Sequence, residues 1–275
     1  MKTITLVYFS PTKTTRTILE TAANALAERL GLANNAVRTI DVTRPAHRMS
    51  ACPQFDDSDI VLLGAPVYAG RLPEDAAEFF KTIKATGTPA ALTVLYGNRE
   101  FEDALLELKD ISQDCGFIPV AGSAFIGEHS FSSDDIPIAG SRPDKNDLKK
   151  AVLFGEKIAA LVENEEHIAN IGPLDVPGNF PYKEGMGKGA FEFVQVTADC
   201  DNCGTCVTVC PKDAVDEING YTTVDIRCIF CCACIKACPN QARQIKEGPM
   251  RDKARWLNEN CSEHKQPETF FAPVI

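Results

Sequence analysis

Residues 2–31 read KTITLVYFSPTKTTRTILETAANALAERLG, an extended apolar run followed by a run with helical periodicity. In the first, Ile4, Leu6 and Tyr8 alternate with Thr3, Thr5 and Val7 in the manner of a strand. In the second, Ile18, Leu19, Ala22, Ala23, Leu26 and Leu30 recur at helical spacing and share one face. Ser10 or Thr12 offers an N-cap, and Gly31 suits the helix stop. The opening unit is therefore β followed by α.

The alternation continues to about residue 170. Further strands are expected at AVRTIDV (36–42), DIVLLGA (59–65), PAALTVLYG (89–97) and FIPVAGSAFI (117–126), with helices over 73–83, 99–115 and 143–164. The link between the second and third strands shows no clear helix. Near-continuous apolar strands belong to a sheet covered on both faces. The expected fold is α/β, a doubly wound sheet of five parallel strands in the order 2-1-3-4-5, with right-handed crossovers placing helices on both faces. Ligands of such sheets lie beyond the carboxyl ends of the strands, where the winding reverses. Those ends carry SPTKTT (10–15), APVYAGRLP (65–73) and YGNREF (96–101).

This front domain is expected over 1–170. Residues 171–189, IGPLDVPGNFPYKEGMGKG, hold too many Pro and Gly for a helix or inner strand and read as a linker. A smaller cysteine-rich domain follows over 190–247, then a C-terminal helix and tail over 248–275. Of twelve cysteines, nine fall between Cys200 and Cys238, while Cys52, Cys115 and Cys261 stand alone. Residues 200–211 read CDNCGTCVTVCP and residues 228–239 read CIFCCACIKACP, each a C-x2-C-x2-C-x3-C-P motif. Three thiolates at that pitch wrap one iron–sulfur cubane and the fourth reaches the other, so two [4Fe-4S] clusters are expected. The first takes Cys200, Cys203, Cys206 and Cys238; the second takes Cys228, Cys231, Cys234 and Cys210. Pro211 and Pro239 cannot continue a helix and fix the turn that aims the last cysteine of each motif. Structural zinc uses two separated C-x-x-C pairs, which leaves the triple spacing unexplained. Disulfides would compete among such close neighbours, and no export signal precedes them. Cys232 reads as a small apolar filler beside Cys231, as do Cys52, Cys115 and Cys261.

With 44% hydrophobic and 24% charged residues over 275 positions, the chain can bury two cores, which excludes a mainly disordered protein. Its formal charge of −10 disfavours nucleic acid and anionic lipid as partners. No apolar run approaches the length of a membrane span, and the first residues lack a small-residue cleavage site, so a cytoplasmic location is expected. No G-x-G-x-x-G follows a strand, which argues against direct nicotinamide binding. His47, His129, His167 and His264 show no triad or metal spacing; the loop of His129 is the one expected to face the second domain.

An anion placed after the first strand would meet free N–H groups and the dipole at the helix start. Ser10, Thr12, Thr14 and Thr15 add hydroxyls there and Lys13 adds charge, although such a loop also reads as ordinary capping. Pro66, Val67, Tyr68, Gly70 and Arg71 after the third strand, and Tyr96, Gly97, Asn98, Arg99 and Phe101 after the fourth, place aromatic and hydrogen-bonding groups where a flat heterocycle could be gripped.

Residues 196–247, with both cysteine motifs complete, resemble a bacterial two-[4Fe-4S] ferredoxin, and that resemblance implies electron transfer. Residues 1 to about 165 resemble flavodoxin, SPTKTT standing where that family has its Thr/Ser-rich FMN phosphate loop, which implies FMN. Pro11 and Lys13 depart from the glycine and small residues of that loop, leaving more of the contact to hydroxyls. From SPTKTT through PVYAGR, YGNR, FIGEHSF and VPGNFPYK to the cysteine motifs, the chain is similar to fused flavodoxin–ferredoxin proteins of anaerobic microbes. The favoured expectation is an electron-transfer protein passing electrons between FMN, two [4Fe-4S] clusters and external redox proteins, rather than an enzyme with its own small substrate. Two alternatives stay open: an FMN-dependent reductase of a small acceptor fed by the clusters, and a flavin-free docking module fused to a ferredoxin.

Overall fold

The computed structural model describes residues 2–33, 36–49, 52–185 and 191–275. Strands β1 (Thr3–Tyr8), β2 (Val37–Asp41), β3 (Asp59–Pro66), β4 (Thr88–Tyr96) and β5 (Phe117–Ile126) pair in parallel in the order β2-β1-β3-β4-β5. Alternate residues of these strands feed two cores. Val7, Val61, Leu63, Leu92 and Val94 pack against Phe79 and Phe80 of α2 (Glu74–Phe80) and Leu105 and Leu108 of α3 (Ala104–Asp114). Ile4, Leu6, Tyr8, Ile60 and Leu62 face Leu19, Ala22 and Leu26 of α1 (Thr14–Arg29) and Phe154 and Ile158 of α4 (Lys145–Val162). Burial on both sides explains why β1, β3, β4 and β5 are largely apolar, whereas β2, at the sheet edge, carries exposed Arg38 and Thr39. Between β2 and β3 there is one helical turn, Pro45–Arg48.

Helix α1 ends as its sequence predicts. Gly31 takes φ +64, with its N–H on the Glu28 carbonyl and that of Leu32 on the Ala27 carbonyl, a Schellman stop. Its start differs from the expectation. Neither Ser10 nor Thr12 is the N-cap residue; Lys13 is, in the left-handed conformation at φ 67. Ser10 still caps, from three residues further back, by accepting the Arg16 N–H at 3.1 Å. A glycine-like conformation is thus kept where the residue is lysine, held by the Lys13 N–H on the Ser10 carbonyl and the Thr17 N–H on the Lys13 carbonyl.

The Pro/Gly-rich segment is ordered along its described part. Leu174 and Val176 are buried in the first core. Asp103 receives the backbone N–H of Asn179 at 2.9 Å and of Lys183 at 2.8 Å, and Tyr182 donates to Asp110 at 2.6 Å. Residues 186–190, at the end of that segment, lie outside the described residues.

The cysteine-rich region is small and internally repeated. Val194–Val196 pairs antiparallel with Arg243–Ile245, and Val215–Asp216 with Thr222–Thr223. Two short helices, Thr205–Val209 and Ala233–Lys236, carry Cys206 and Cys234. Helix α5 (Pro249–Asn260) then crosses back to the front domain. The tail beyond it adds a sixth strand, β6 (Glu268–Phe271), antiparallel to β5 with Glu268 opposite Ala124 and Phe271 opposite Ala121. The parallel five are therefore joined by an edge strand from the far end of the chain, and the tail belongs with the front domain.

Helices α1 and α4 touch closely at Gly155, where a Cβ would stand 2.1 Å from the Ala22 carbonyl oxygen and 3.1 Å from the Ala25 Cβ. Replacing Gly155 by Ala brings a helix-propensity gain of about 1 kcal/mol, but it must push apart two backbones, an overpacking cost of roughly 1–3 kcal/mol. The expected outcome is a lower urea midpoint for Gly155→Ala; a raised midpoint would show that the helices do not meet there.

Candidate functional site

A crevice of about 220 Å³ opens at the carboxyl ends of β1, β3, β4 and β5. Of the residues expected there, Thr12, Thr14, Pro66, Val67, Tyr68, Gly70, Tyr96, Gly97 and Arg99 line it. Tyr96 contributes little open face, being 4% exposed and packed against Phe101 with centroids 5.5 Å apart.

Six expected residues do not line the crevice. Ser10 spends its N–H on Thr43 Oγ1 at 2.8 Å and its hydroxyl on the α1 cap. Lys13 is the cap residue itself. Thr15 is buried with its methyl side toward Gly64. Arg71 is drawn away by Glu107, bonding both carboxylate oxygens at 2.8 Å, and by the Lys183 carbonyl at 2.7 Å. Asn98 holds the carbonyls of Cys261 and Glu263 at 2.6 and 2.7 Å, fastening the tail rather than facing a ligand. Phe101 lies behind Tyr96 in the core.

Other residues complete the walls. The loop after β5 supplies Gly127 through Phe131, and the roof comes from the far end of the chain: Ile229 and Phe230 of the second cysteine motif, and Met250, Lys253 and Leu257 of α5. The β5 loop is findable in principle, because every carboxyl end in such a sheet borders the crevice. The roof has no such signal; Ile229 and Phe230 read only as the spacer of a C-x-x-C.

The floor at α1 suits an anion. The first-turn N–H groups of Thr14 and Thr15 have no intrahelical acceptor, and the Thr12 and Thr14 hydroxyls stand 3.5 Å apart. Thr15 Oγ1 is buried without a partner, an unmet donor beside that floor. A phosphate group fits this donor set, and the aromatic lining above suits a flat ring.

The eight motif cysteines surround two further cavities, each lined by three cysteines of one motif and the last of the other. One is lined by Cys228, Cys231, Cys234 and Cys210; the other by Cys200, Cys203, Cys206 and Cys238. Among the described residues no three His, Cys, Asp or Glu gather tightly enough to hold a single metal ion; the thiols stand around voids, as the sulfurs of a multinuclear cluster do. Cys232 is 2% exposed, packed among Phe193, Phe230 and Ile245 while also bordering the first cavity. Cys115 and Cys261 are partly buried, but Cys52 is exposed, so the filler reading does not extend to it.

Burial pushes the Cys228 thiol up to about 12 and the Cys231 thiol well above its ordinary range. Unliganded, both are neutral, and a metal must displace their protons to bind. Ile229, between these cysteines, lines both their cavity and the crevice. Tyr68 adjoins the same loop, its phenol raised by burial and then by the neighbouring Cys231 and Cys232.

Residues 194–216 match the Fer4 family, the 4Fe-4S binding domain. No curated protein matches the chain. Solved structures similar to the front of the chain include a flavodoxin from the domain Archaea, 14% identical, covering 60% of this chain and 100% of that one at TM-score 0.39. Flavodoxin 1 from Bacillus cereus is 19% identical over 58% of this chain and 98% of its own, at TM-score 0.38. Rubredoxin oxygen:oxidoreductase from Desulfovibrio gigas is 13% identical over 59% of this chain and 36% of its own, at TM-score 0.42. The strand order found here is itself the flavodoxin-like one, so the chain joins a flavodoxin-like domain to a 4Fe-4S binding region. Among the described residues no helix is long and apolar enough to cross a membrane.

His129 stands at the crevice wall, its ring so close to Gly97 that a Cβ there would lie 2.2 Å from its Cδ2. Its Nδ1 accepts the Phe131 N–H at 3.0 Å, which requires that nitrogen unprotonated. Burial, then Arg99, Lys236 and Lys253, lower its pKa from 6.5 to about 4. Between those values the unfolded chain binds the proton and the folded chain does not. The contribution of His129 to stability is therefore intact above pH 6.5 and is lost as pH falls toward 4, by up to roughly 3 kcal/mol. Denaturation of the wild type and His129→Asn across pH 7 to 4 should show the wild type falling more steeply; parallel curves would place His129 in water.

Proposed function

We propose that the chain is an electron-transfer protein in which FMN, held in the crevice, exchanges electrons with two [4Fe-4S] clusters and, through them, with external redox proteins. The inner cluster is assigned to Cys210, Cys228, Cys231 and Cys234, and the outer to Cys200, Cys203, Cys206 and Cys238. FMN supplies chemistry in one- or two-electron steps and each cluster in single electrons, so the pairing links the two kinds of carrier. The observation that carries the reading is the double position of Ile229, one residue bordering both the crevice and the Cys228–Cys231 cavity.

The residues divide the work. The start of α1 with Thr12 and Thr14 holds the phosphate, and Tyr68 and Val67 bound the ring. Ile229 and Phe230 close the crevice on the cysteine side and exclude water there. Helix α5 covers the rest through Met250 and Leu257, which favours transfer to a neighbouring centre over entry of a small acceptor. At the outer cavity Cys203 is exposed, so the outer set is the face open to a partner protein.

Protein purified without oxygen should carry one FMN and about eight iron atoms per chain. Cys203→Ala should lose the outer cluster while keeping flavin and rapid flavin-to-cluster transfer by stopped-flow absorbance. Cys231→Ala should keep flavin yet disconnect it from the remaining iron. Iron without flavin would favour a docking module instead, and zinc in place of iron would end the proposal.

A further inference from the structure

The two halves of the cysteine-rich region align residue by residue past their motifs. After Cys210 the chain reads Pro211, Lys212, Asp213, Ala214, Val215; after Cys238 it reads Pro239, Asn240, Gln241, Ala242, Arg243. The repeat therefore sets an apolar Val215 opposite a cationic Arg243. Arg243 does not escape to the surface, being 2% exposed. A guanidinium keeps its proton in proteins, and taking it out of water without a counter-charge is strongly unfavourable.

Its partners within the protein are neutral. Nη1 donates to the Tyr221 carbonyl and Nη2 to Thr223 Oγ1 at 2.7 Å. Nε is buried with no partner, and among the described residues no carboxylate pairs with the side chain. What the residue borders instead is the two cysteine sets. It lines the cavity of Cys200, Cys203, Cys206 and Cys238. Its strand, Arg243–Ile245, also packs against the helix Ala233–Lys236 that carries Cys234, a member of the other set.

We propose that Arg243 is the shared counter-charge of the two cysteine sites, a positioning residue that holds both iron–sulfur centres at a higher reduction potential than their burial alone would allow. This rests on the reading of the eight cysteines as cluster ligands. Reduction adds negative charge to either site, and a fixed cation between them favours that charge at both. It also lessens the repulsion between the two sites once both are reduced.

The test is a potentiometric titration of the full chain, followed by electron paramagnetic resonance, on the wild type, Arg243→Gln, Arg243→Met and Arg243→Lys, with iron content measured for each. Either neutral variant that keeps its iron should lower both reduction equilibrium constants by tenfold or more, which is 59 mV for a one-electron couple. Arg243→Lys, which keeps the charge, should move them by less than half of that shift. Unmoved potentials in an iron-replete neutral variant, a shift at one centre only, or an equal shift in Arg243→Lys each overturn the proposal. If both neutral variants fail to hold iron, retention by Arg243→Lys supports it and loss there too overturns it, because the fork and not the charge is then what matters. Wild-type protein without iron would instead remove the ligand reading itself.

Discussion

The structure turns on how the loop Cys228–Cys231 is pressed against the carboxyl ends of a parallel sheet. Nothing in a doubly wound domain requires a roof over that crevice, and nothing in a cysteine-rich repeat requires a neighbour. Contact is imposed by ties on several sides. Lys212 bonds both oxygens of Asp75 at 2.8 and 2.9 Å, and Arg48 reaches the Pro211 carbonyl at 2.8 Å. Lys236 meets the Ser132 carbonyl at 2.6 Å, and the Phe131 and Phe193 rings meet at 5.6 Å. Individual surface ion pairs contribute little. Here the pairs are partly buried and surround an aromatic contact, so they act mainly by fixing orientation.

The sheet and the cysteine sets were legible in the sequence for different reasons. Strands buried on both faces must be apolar throughout, and that property is local to β1, β3, β4 and β5. The spacing of Cys200, Cys203 and Cys206 is likewise a statement about neighbours in the chain. What sequence could not show is competition between distant groups. Arg71 and Asn98 sit in the expected loops, but Glu107 takes the first and the Cys261 and Glu263 carbonyls take the second. Lys13 hides the start of α1 because a left-handed lysine runs against its own preference and is held there by hydrogen bonds. The strand ETFF is four residues long and pairs through its backbone, so no side-chain pattern announces it.

Seen as electrostatics, the cysteine-rich region resolves an imbalance within itself. Buried thiols such as Cys231 and Cys234 resist ionisation, and among the described residues no carboxylate pairs with the buried Arg243. Each is unfavourable alone. Bound metal removes the first difficulty by replacing protons, and the resulting negative charge removes the second. The repeat is consequently symmetric in its cysteines but asymmetric at Val215 and Arg243, where one half sets an apolar residue and the other a buried cation.

The returning tail explains how this arrangement stays put. A second domain joined by one linker ordinarily moves relative to the first. Here two segments connect the halves, and both are fastened to the front domain. The first is held by Leu174, Val176 and the N–H bonds to Asp103. The second runs from α5 through the Asn98 clamp into β6, where it also covers the edge of β5 that would otherwise present unpaired backbone groups. Removing β6 would expose that edge and free one end of α5 together. The roof of the crevice is therefore held by this backbone pairing together with the ties around the Cys228–Cys231 loop, and its position is set by the fold of the whole chain rather than by the linker.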